Sequence, residues 1–200
     1  MKFNMGCGHN KLPGWVNVDA FPTATPDVVW DLEQVPWPWP DACAEEVRFT
    51  HSLEHMGGDP KVFLAIMQEL YRISAPGCTI QIDVPHPHHE SFLHDPTHVR
   101  AITPNILMLF DKELNDQWKA LGASNSPLAH YTGVDFKLTS VIQVPAATYQ
   151  QQLDAGEIDV ETFYSYAAER LNVVAEIRIV MIARKPAFGT SSAAAGQNQE

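Results

Sequence analysis

The chain has 200 residues, 45% hydrophobic and 18% charged, an ordinary globular balance that suits a single domain. Thirteen Lys and Arg against twenty-four Asp and Glu give a formal net charge of -11, which opposes phosphate backbones and anionic bilayers and disfavours nucleic acid as a partner. Three scattered cysteines without a C-x-x-C pair argue against a disulfide framework or thiolate zinc, no apolar run approaches the roughly 20 residues of a membrane span, and the N-terminus enters a glycine turn without a signal-type region, so a soluble, cytoplasmic, non-secreted protein is expected.

Along the first fifty residues, short strands alternate with turns: Lys2 to Met5, Trp15 to Asp19 after Pro13-Gly14, Asp27 to Leu32, and Val47 to Thr50. Trp37-Pro38-Trp39-Pro40 is a connecting loop, because its prolines lack the N–H donor and constrain their neighbours. Asp59-Pro60 has the N-cap and first-turn residues of a helix, and Val62, Phe63, Ile66, Met67, Leu70 and Ile73 recur at helical spacing until Pro76-Gly77. A strand from Thr79 to Val84 leads into a polar, histidine-rich loop from His86 to Arg100. Thr103-Pro104 opens a second helical pattern that runs to Gly122, with a break expected near Asp111. After a loop from Ala123 to Asp135, strands over Phe136 to Val144 and Val173 to Arg184 flank a helix carrying Val160, Phe163, Tyr164, Ala167 and Leu171. The arrangement predicts one α/β domain over residues 1–185, a mostly parallel Rossmann-like sheet with helices on both faces and an antiparallel C-terminal edge strand, followed by a disordered tail over 186–200.

Chemistry concentrates where Phe3-Asn4-Met5-Gly6-Cys7-Gly8 is followed by Trp15-Val16-Asn17-Val18-Asp19. At the carboxyl edge of a parallel sheet, glycines let backbone approach a ligand, and an acid ending the next strand can accept hydrogen bonds from ribose hydroxyls. Asp31 ends the next predicted strand, so two carboxylates converge on one edge in a nucleoside-shaped site. An acid only eleven residues after Gly8, with no G-x-x-G continuation, opposes a nicotinamide-binding reading.

These segments resemble the class I S-adenosylmethionine-dependent methyltransferases, particularly the branch called type 11. The resemblance rests on Gly6-Cys7-Gly8, on Pro13-Gly14-Trp15-Val16-Asn17-Val18-Asp19, on Asp31-Leu32, on His51-Ser52-Leu53-Glu54-His55, and on Glu69-Leu70-Tyr71-Arg72-Ile73 before Pro76-Gly77. It implies a seven-stranded sheet and S-adenosyl-L-methionine as cofactor. In that picture Gly6 and Gly8 pack under the methionine moiety, Asp19 holds the ribose, Asp31 and Leu32 flank the adenine, His51, Ser52 and Leu53 floor the sulfonium, and Cys7 and Ala20 complete the cofactor-binding set. The chain departs from the family at Asn4, where an acid is usual, at Lys11, where a third glycine often sits, and at Glu45 in place of an Asp. Only His9 to Leu12 separate the glycine turn from Pro13-Gly14, so the first crossover has hardly room for a helix.

Methyl transfer to a hydroxyl, amine or carboxylate of a small or medium-sized molecule is the expected activity. It needs alignment, exclusion of water and, for a hydroxyl or amine, a base. Histidine suits that task near neutral pH, and His55, His86 and His98 are the expected catalytic residues. No metal ligand is assigned in this reading. Two alternatives stand beside it: a noncatalytic cofactor-binding module, suggested by Asn4 and the abbreviated crossover, and a metal-dependent enzyme using the His86-to-His98 loop, where Glu90 and Asp95 add carboxylates. Glu69 and Arg72 are expected to form a solvated pair, Trp30 to pack, and Trp37 and Trp39 either to pack or to stack on substrate.

Overall fold

The computed structural model describes residues 1–185. The tail expected to be disordered, 186–200, lies outside the described residues. Seven strands, β1 (Lys2–Met5), β2 (Val16–Asp19), β3 (Val28–Val29), β4 (Ala44–Thr50), β5 (Ser74–Pro85), β6 (Phe136–Pro145) and β7 (Val174–Ala183), form one sheet in the order β3-β2-β1-β4-β5-β7-β6. The first five run parallel, and β7 lies antiparallel between β5 and β6. Order therefore reverses between β1 and β4, and in parallel sheets the crevice outside the carboxyl ends of such a strand pair is where ligands bind.

Burial explains the central strands. Phe3, Met5, Val47, Phe49, Ile80 and Ile82 alternate along β1, β4 and β5 and are fully or almost fully buried. Helix α1 (Pro60–Ile73) starts where Asp59 Oδ1 accepts from Lys61 N at 2.8 Å, and it buries Phe63, Ile66, Met67, Leu70 and Ile73 in the same core. Chain leaving α1 enters the sheet at once: Ser74 pairs with Ala44, and a register shift absorbs Pro76-Gly77 before Thr79 meets Glu46.

The crossover from β1 to β2 holds no helix, in agreement with its length. Amides replace it. Asn4 Nδ2 donates to Asn10 O and Asn17 Oδ1, both at 2.9 Å, Asn17 Oδ1 accepts from Leu12 N at 2.7 Å, and Asn17 Nδ2 reaches Asp27 Oδ2 at 2.7 Å. Bonds from the backbone N–H and side chain of Asn17, helped by Lys11, hold the Asp27 carboxyl down at about 2. The crossovers from β2 to β3 and from β3 to β4 are likewise without an α-helix, so helical cover over this half of the sheet is sparser than expected.

Between β3 and β4, Trp37 and Trp39 pack into the core, Trp39 against Phe3 at 4.9 Å between ring centroids, which resolves their open assignment in favour of packing. Glu69 and Arg72 are not a solvated pair. Glu69 Oε2 accepts from Trp37 N at 2.6 Å, while Arg72 donates to the carbonyls of Trp37 and Trp39 and to Glu69 and Asp41. Proline-rich backbone cannot satisfy itself in a ladder, and α1 supplies the missing partners.

The expected break near Asp111 separates α3 (Pro104–Met108) from α4 (Lys112–Ala120), and the Asp111 side chain caps α4. Short helices α2 (Glu90–Leu93) and α5 (Leu128–Thr132) interrupt segments read as loops. Helix α6 (Ala147–Asp154) is unanticipated, whereas α7 (Val160–Glu169) falls where the spacing places it. Among the described residues, no helix is long and apolar enough to cross a membrane.

Candidate functional site

The site lies at the carboxyl rim of β1, β2 and β4. Gly6 and Gly8 both take positive φ, 68° and 50°, but for different reasons. A Cβ on Gly6 would stand 2.5 Å from Ser52 Cβ, so Gly6 lets the turn after β1 close on the loop after β4, where Ser52 Oγ donates to Met5 O at 2.8 Å. At Gly8 no atom of the described residues beyond its chain neighbours lies within 4 Å of that position, and the backbone presents an open face. Cys7 is buried between them, and its thiol is pushed up by burial and by Asp19.

Asp19 ends β2 at 9% exposure. Its Oδ2 accepts from Gly8 N at 2.8 Å and its Oδ1 from Phe21 N at 2.9 Å. Each oxygen keeps a second acceptor position, enough for the two hydroxyls of a ribose. Ala20 is exposed beside it. Asp31, two residues beyond β3, is exposed and accepts from Glu33 N at 2.9 Å, and Asp19 O accepts from Trp30 N, so both aspartates sit on adjacent strand ends. Leu32, expected beside the adenine, is 3% exposed, with its side chain in the core and its carbonyl accepting from Trp37 Nε1.

The loop after β4 carries His51, Ser52, Leu53, Glu54 and His55. Ser52 and Leu53 are buried. His51 holds φ at 50°, unusual for a side-chain-bearing residue, and its Nε2 meets Glu176 Oε2 of β7 at 2.7 Å while Nδ1 lies 3.7 Å from Glu54 Oε1. The Glu54 carboxylate, followed by Glu176, holds the imidazole above its ordinary value against the opposing effect of burial.

Of the three histidines expected to be catalytic, the structure brings two together. His55 and His98 meet edge to face at 4.6 Å between ring centroids. His98 Nδ1 faces the Phe92 carbonyl at 2.9 Å, so it carries the proton and leaves Nε2 bare in the neutral ring. His55 Nδ1 faces Thr97 Oγ1 at 2.9 Å, whose own proton goes to Asp95 Oδ1 at 2.6 Å, and the same tautomer follows. His86 stands apart beside His88, 5.3 Å between centroids. Its Nδ1 accepts from His88 N at 3.1 Å, which occupies that lone pair, and burial lowers its pKa.

Glu54 has no role in the sequence reading, although it is 1% exposed at the centre of this group. The His51-x-x-Glu54-His55 run was a signal that could have marked it. Glu176 gave none, being 125 residues from the histidine it holds. Grooves of about 450 Å³ around Asn115, Lys119 and His130 and about 380 Å³ around Tyr149, Tyr166 and Arg170 contain none of the rim residues.

No protein-family model and no curated protein matches this sequence. Solved structures match in shape. An S-adenosylmethionine-dependent methyltransferase from Archaeoglobus fulgidus is 18% identical over 90% of this chain and 85% of its own, with a TM-score of 0.60. One from Methanosarcina mazei is 12% identical over 92% of each chain, with a TM-score of 0.53. The cyclase SpnF is 12% identical over 92% of this chain and 74% of its own, with a TM-score of 0.51. The chain thus has the Rossmann-like fold of S-adenosylmethionine-dependent methyltransferases, a fold that also carries a protein described as a cyclase.

Proposed function

We propose that the chain binds S-adenosylmethionine at this rim and transfers its methyl group to a hydroxyl, amine or carboxylate of a small or medium-sized molecule. One observation carries the reading: where the strand order reverses, the open backbone of Gly8 and the Asp19 carboxylate share a hydrogen bond, and the loop bearing His51 to His55 packs directly against that turn. The residues fit the cofactor. Asp19 would accept the ribose hydroxyls, Gly6 to Gly8 would lie along the methionine moiety, Ala20 and Asp31 would border the adenine, and His51 to Leu53 would line the sulfonium side. The bound cofactor supplies an electrophilic methyl group.

The chain's own work is alignment, exclusion of water and, for a hydroxyl or amine acceptor, removal of a proton. His55 and His98 suit the last task, since hydrogen bonds at Nδ1 fix both rings and leave Nε2 free to accept. His86, with its Nδ1 lone pair occupied, suits a positioning role toward the acceptor. The net charge of -11 favours a small molecule over nucleic acid as acceptor.

Asn4 commits its amide to the crossover and offers the cofactor's amino group no charge, which favours a noncatalytic binding module as the second reading. Calorimetry with S-adenosylhomocysteine tests the pocket, and absence of saturable binding overturns both readings. Incubation with methyl-labelled cofactor and a cell extract then tests transfer. A labelled small product establishes the enzyme, and saturable binding without any labelled product leaves the module.

A further inference from the structure

We propose that Glu54, His55 and His98 form a site for a first-row transition dication of the zinc type. One nitrogen of each imidazole and a carboxylate oxygen of Glu54 lie within 4.8 Å of one another. Two imidazoles and a carboxylate are a donor set suited to zinc, cobalt, manganese or iron. The inference concerns the acceptor side of the proposed site and is tested without cofactor, so the two readings fail separately.

Glu54 carries the argument. Its carboxylate is 1% exposed, and among the described residues neither oxygen has a hydrogen-bond partner. Its nearest ring nitrogens are His51 Nδ1 at 3.7 Å and His98 Nε2 at 4.0 Å, both beyond hydrogen-bond length. Because His98 Nδ1 donates to the Phe92 carbonyl, the neutral ring turns its Nε2 lone pair toward Glu54 Oε1, which His51 approaches without a hydrogen bond, and toward Asp95 Oδ2 at 3.9 Å. Two acceptors facing each other in a buried space repel, and desolvating the carboxylate adds to the cost. A dication between them removes both costs. Ligand atoms around tetrahedral zinc stand roughly 3.3 Å apart, given bonds of about 2.0 Å, so atoms already within 4.8 Å need contract by no more than about 1.5 Å.

The surroundings are those of a held site. Each ligand imidazole has its other nitrogen fixed, His98 by the Phe92 carbonyl and His55 by the Thr97 hydroxyl backed by Asp95, as ligating imidazoles require. The Phe92 ring stacks on His98 at 5.4 Å and 26°. Val99 N and Arg100 N both donate to the backbone carbonyl of Glu54, at 3.0 and 3.1 Å, locking the two loops that supply the ligands. When occupied, the site spends both Nε2 lone pairs on the cation, so proton acceptance by these imidazoles belongs to the metal-free protein.

The test uses tag-free, chelator-stripped full-length chain titrated with Co²⁺ alone, read by visible d–d absorption, followed by displacement with Zn²⁺ and elemental analysis. One Co²⁺ per chain with low-symmetry bands is expected, with the bands lost in Glu54→Gln and His98→Ala. Thr97→Val, which removes the acceptor of the His55 N–H together with the hydroxyl's own bond to Asp95, should weaken binding about 10- to 100-fold. The His88→Ala/His89→Ala double variant should keep the bands. Circular dichroism checks folding, and should Glu54→Gln fail to fold, Thr97→Val still decides. Absence of bands at stoichiometric Co²⁺, bands lost with His88 and His89 but kept without His98, or a Thr97→Val affinity equal to wild type overturns the proposal.

Discussion

Asp19→Asn separates the two tasks assigned to one carboxylate. In the wild type, Gly8 N and Phe21 N each have their own oxygen, at 2.8 and 2.9 Å. An amide offers one oxygen and one NH2, so one of these backbone donors must face another donor. At 9% exposure water rescues it poorly, and the loss should be about 1–3 kcal/mol. For a chain of this size that lowers Tm by roughly 2–4 °C per kcal/mol. In the bound state a ribose hydroxyl also loses a charge-assisted bond worth about 1.5–3 kcal/mol, or about 10- to 100-fold in Kd for S-adenosylhomocysteine. Urea melts measure the first quantity and calorimetry the second. Because a loosened turn could itself weaken binding, the same titrations with a 2′-deoxy analogue close a cycle: wild type should discriminate against it and Asp19→Asn should not. Equal discrimination by both proteins refutes the ribose contact, and stability within about 0.5 kcal/mol of wild type refutes the strut.

Gly6→Ala should cost at least about 2 kcal/mol, from positive φ plus a Cβ 2.5 Å from Ser52, whereas Gly8→Ala should cost only about 1 kcal/mol of backbone strain yet weaken cofactor binding more. Urea melts paired with calorimetry check both, and equal losses in both quantities would contradict the assignment. Arg72→Ala should destabilise by about 2–4 kcal/mol in urea, because two tryptophan carbonyls lose donors and Glu69 loses its cation; a change under about 0.5 kcal/mol would show the clamp to be idle. Glu54 and Glu176 hold His51 above its ordinary value in the folded state, so its stabilising contribution is complete below the unfolded value and disappears as pH rises through the folded one. The stability difference between wild type and His51→Asn, which tolerates positive φ, should therefore shrink as pH rises, and a difference that grows would reverse the charge assignment.

The sheet was legible because its central strands are short apolar runs between glycine and proline, and α1 because Asp59-Pro60 and a helical spacing agree. Helix α6 escaped notice since it buries only part of Tyr149 and Leu153, four residues apart, too little for a periodic signal. Gly6, Gly8, Asp19 and Asp31 could be placed together from local sequence, since strand ends and turns fix them. What sequence could not show was set by pairing across the fold: the burial of Leu32, the Glu69–Arg72 hold on the tryptophan loop, the bond from Glu176 to His51, and the tautomers that divide His55 and His98 from His86. Histidine count drew attention to His86 through His98, whereas the chemistry gathers around a single glutamate in a short motif read for other reasons.

A connection fastened by Asn4 and Asn17 rather than by a packed helix also sets how the rim moves. Releasing it exposes peptide and amide groups with little hydrocarbon, so its excursions carry small heat-capacity and denaturant coefficients. Hydrogen exchange should accordingly show the strip beside the glycine turn opening independently of global unfolding, its amide protons exchanging at nearly constant rate as urea rises, while those of the apolar strands follow the melting of the whole domain.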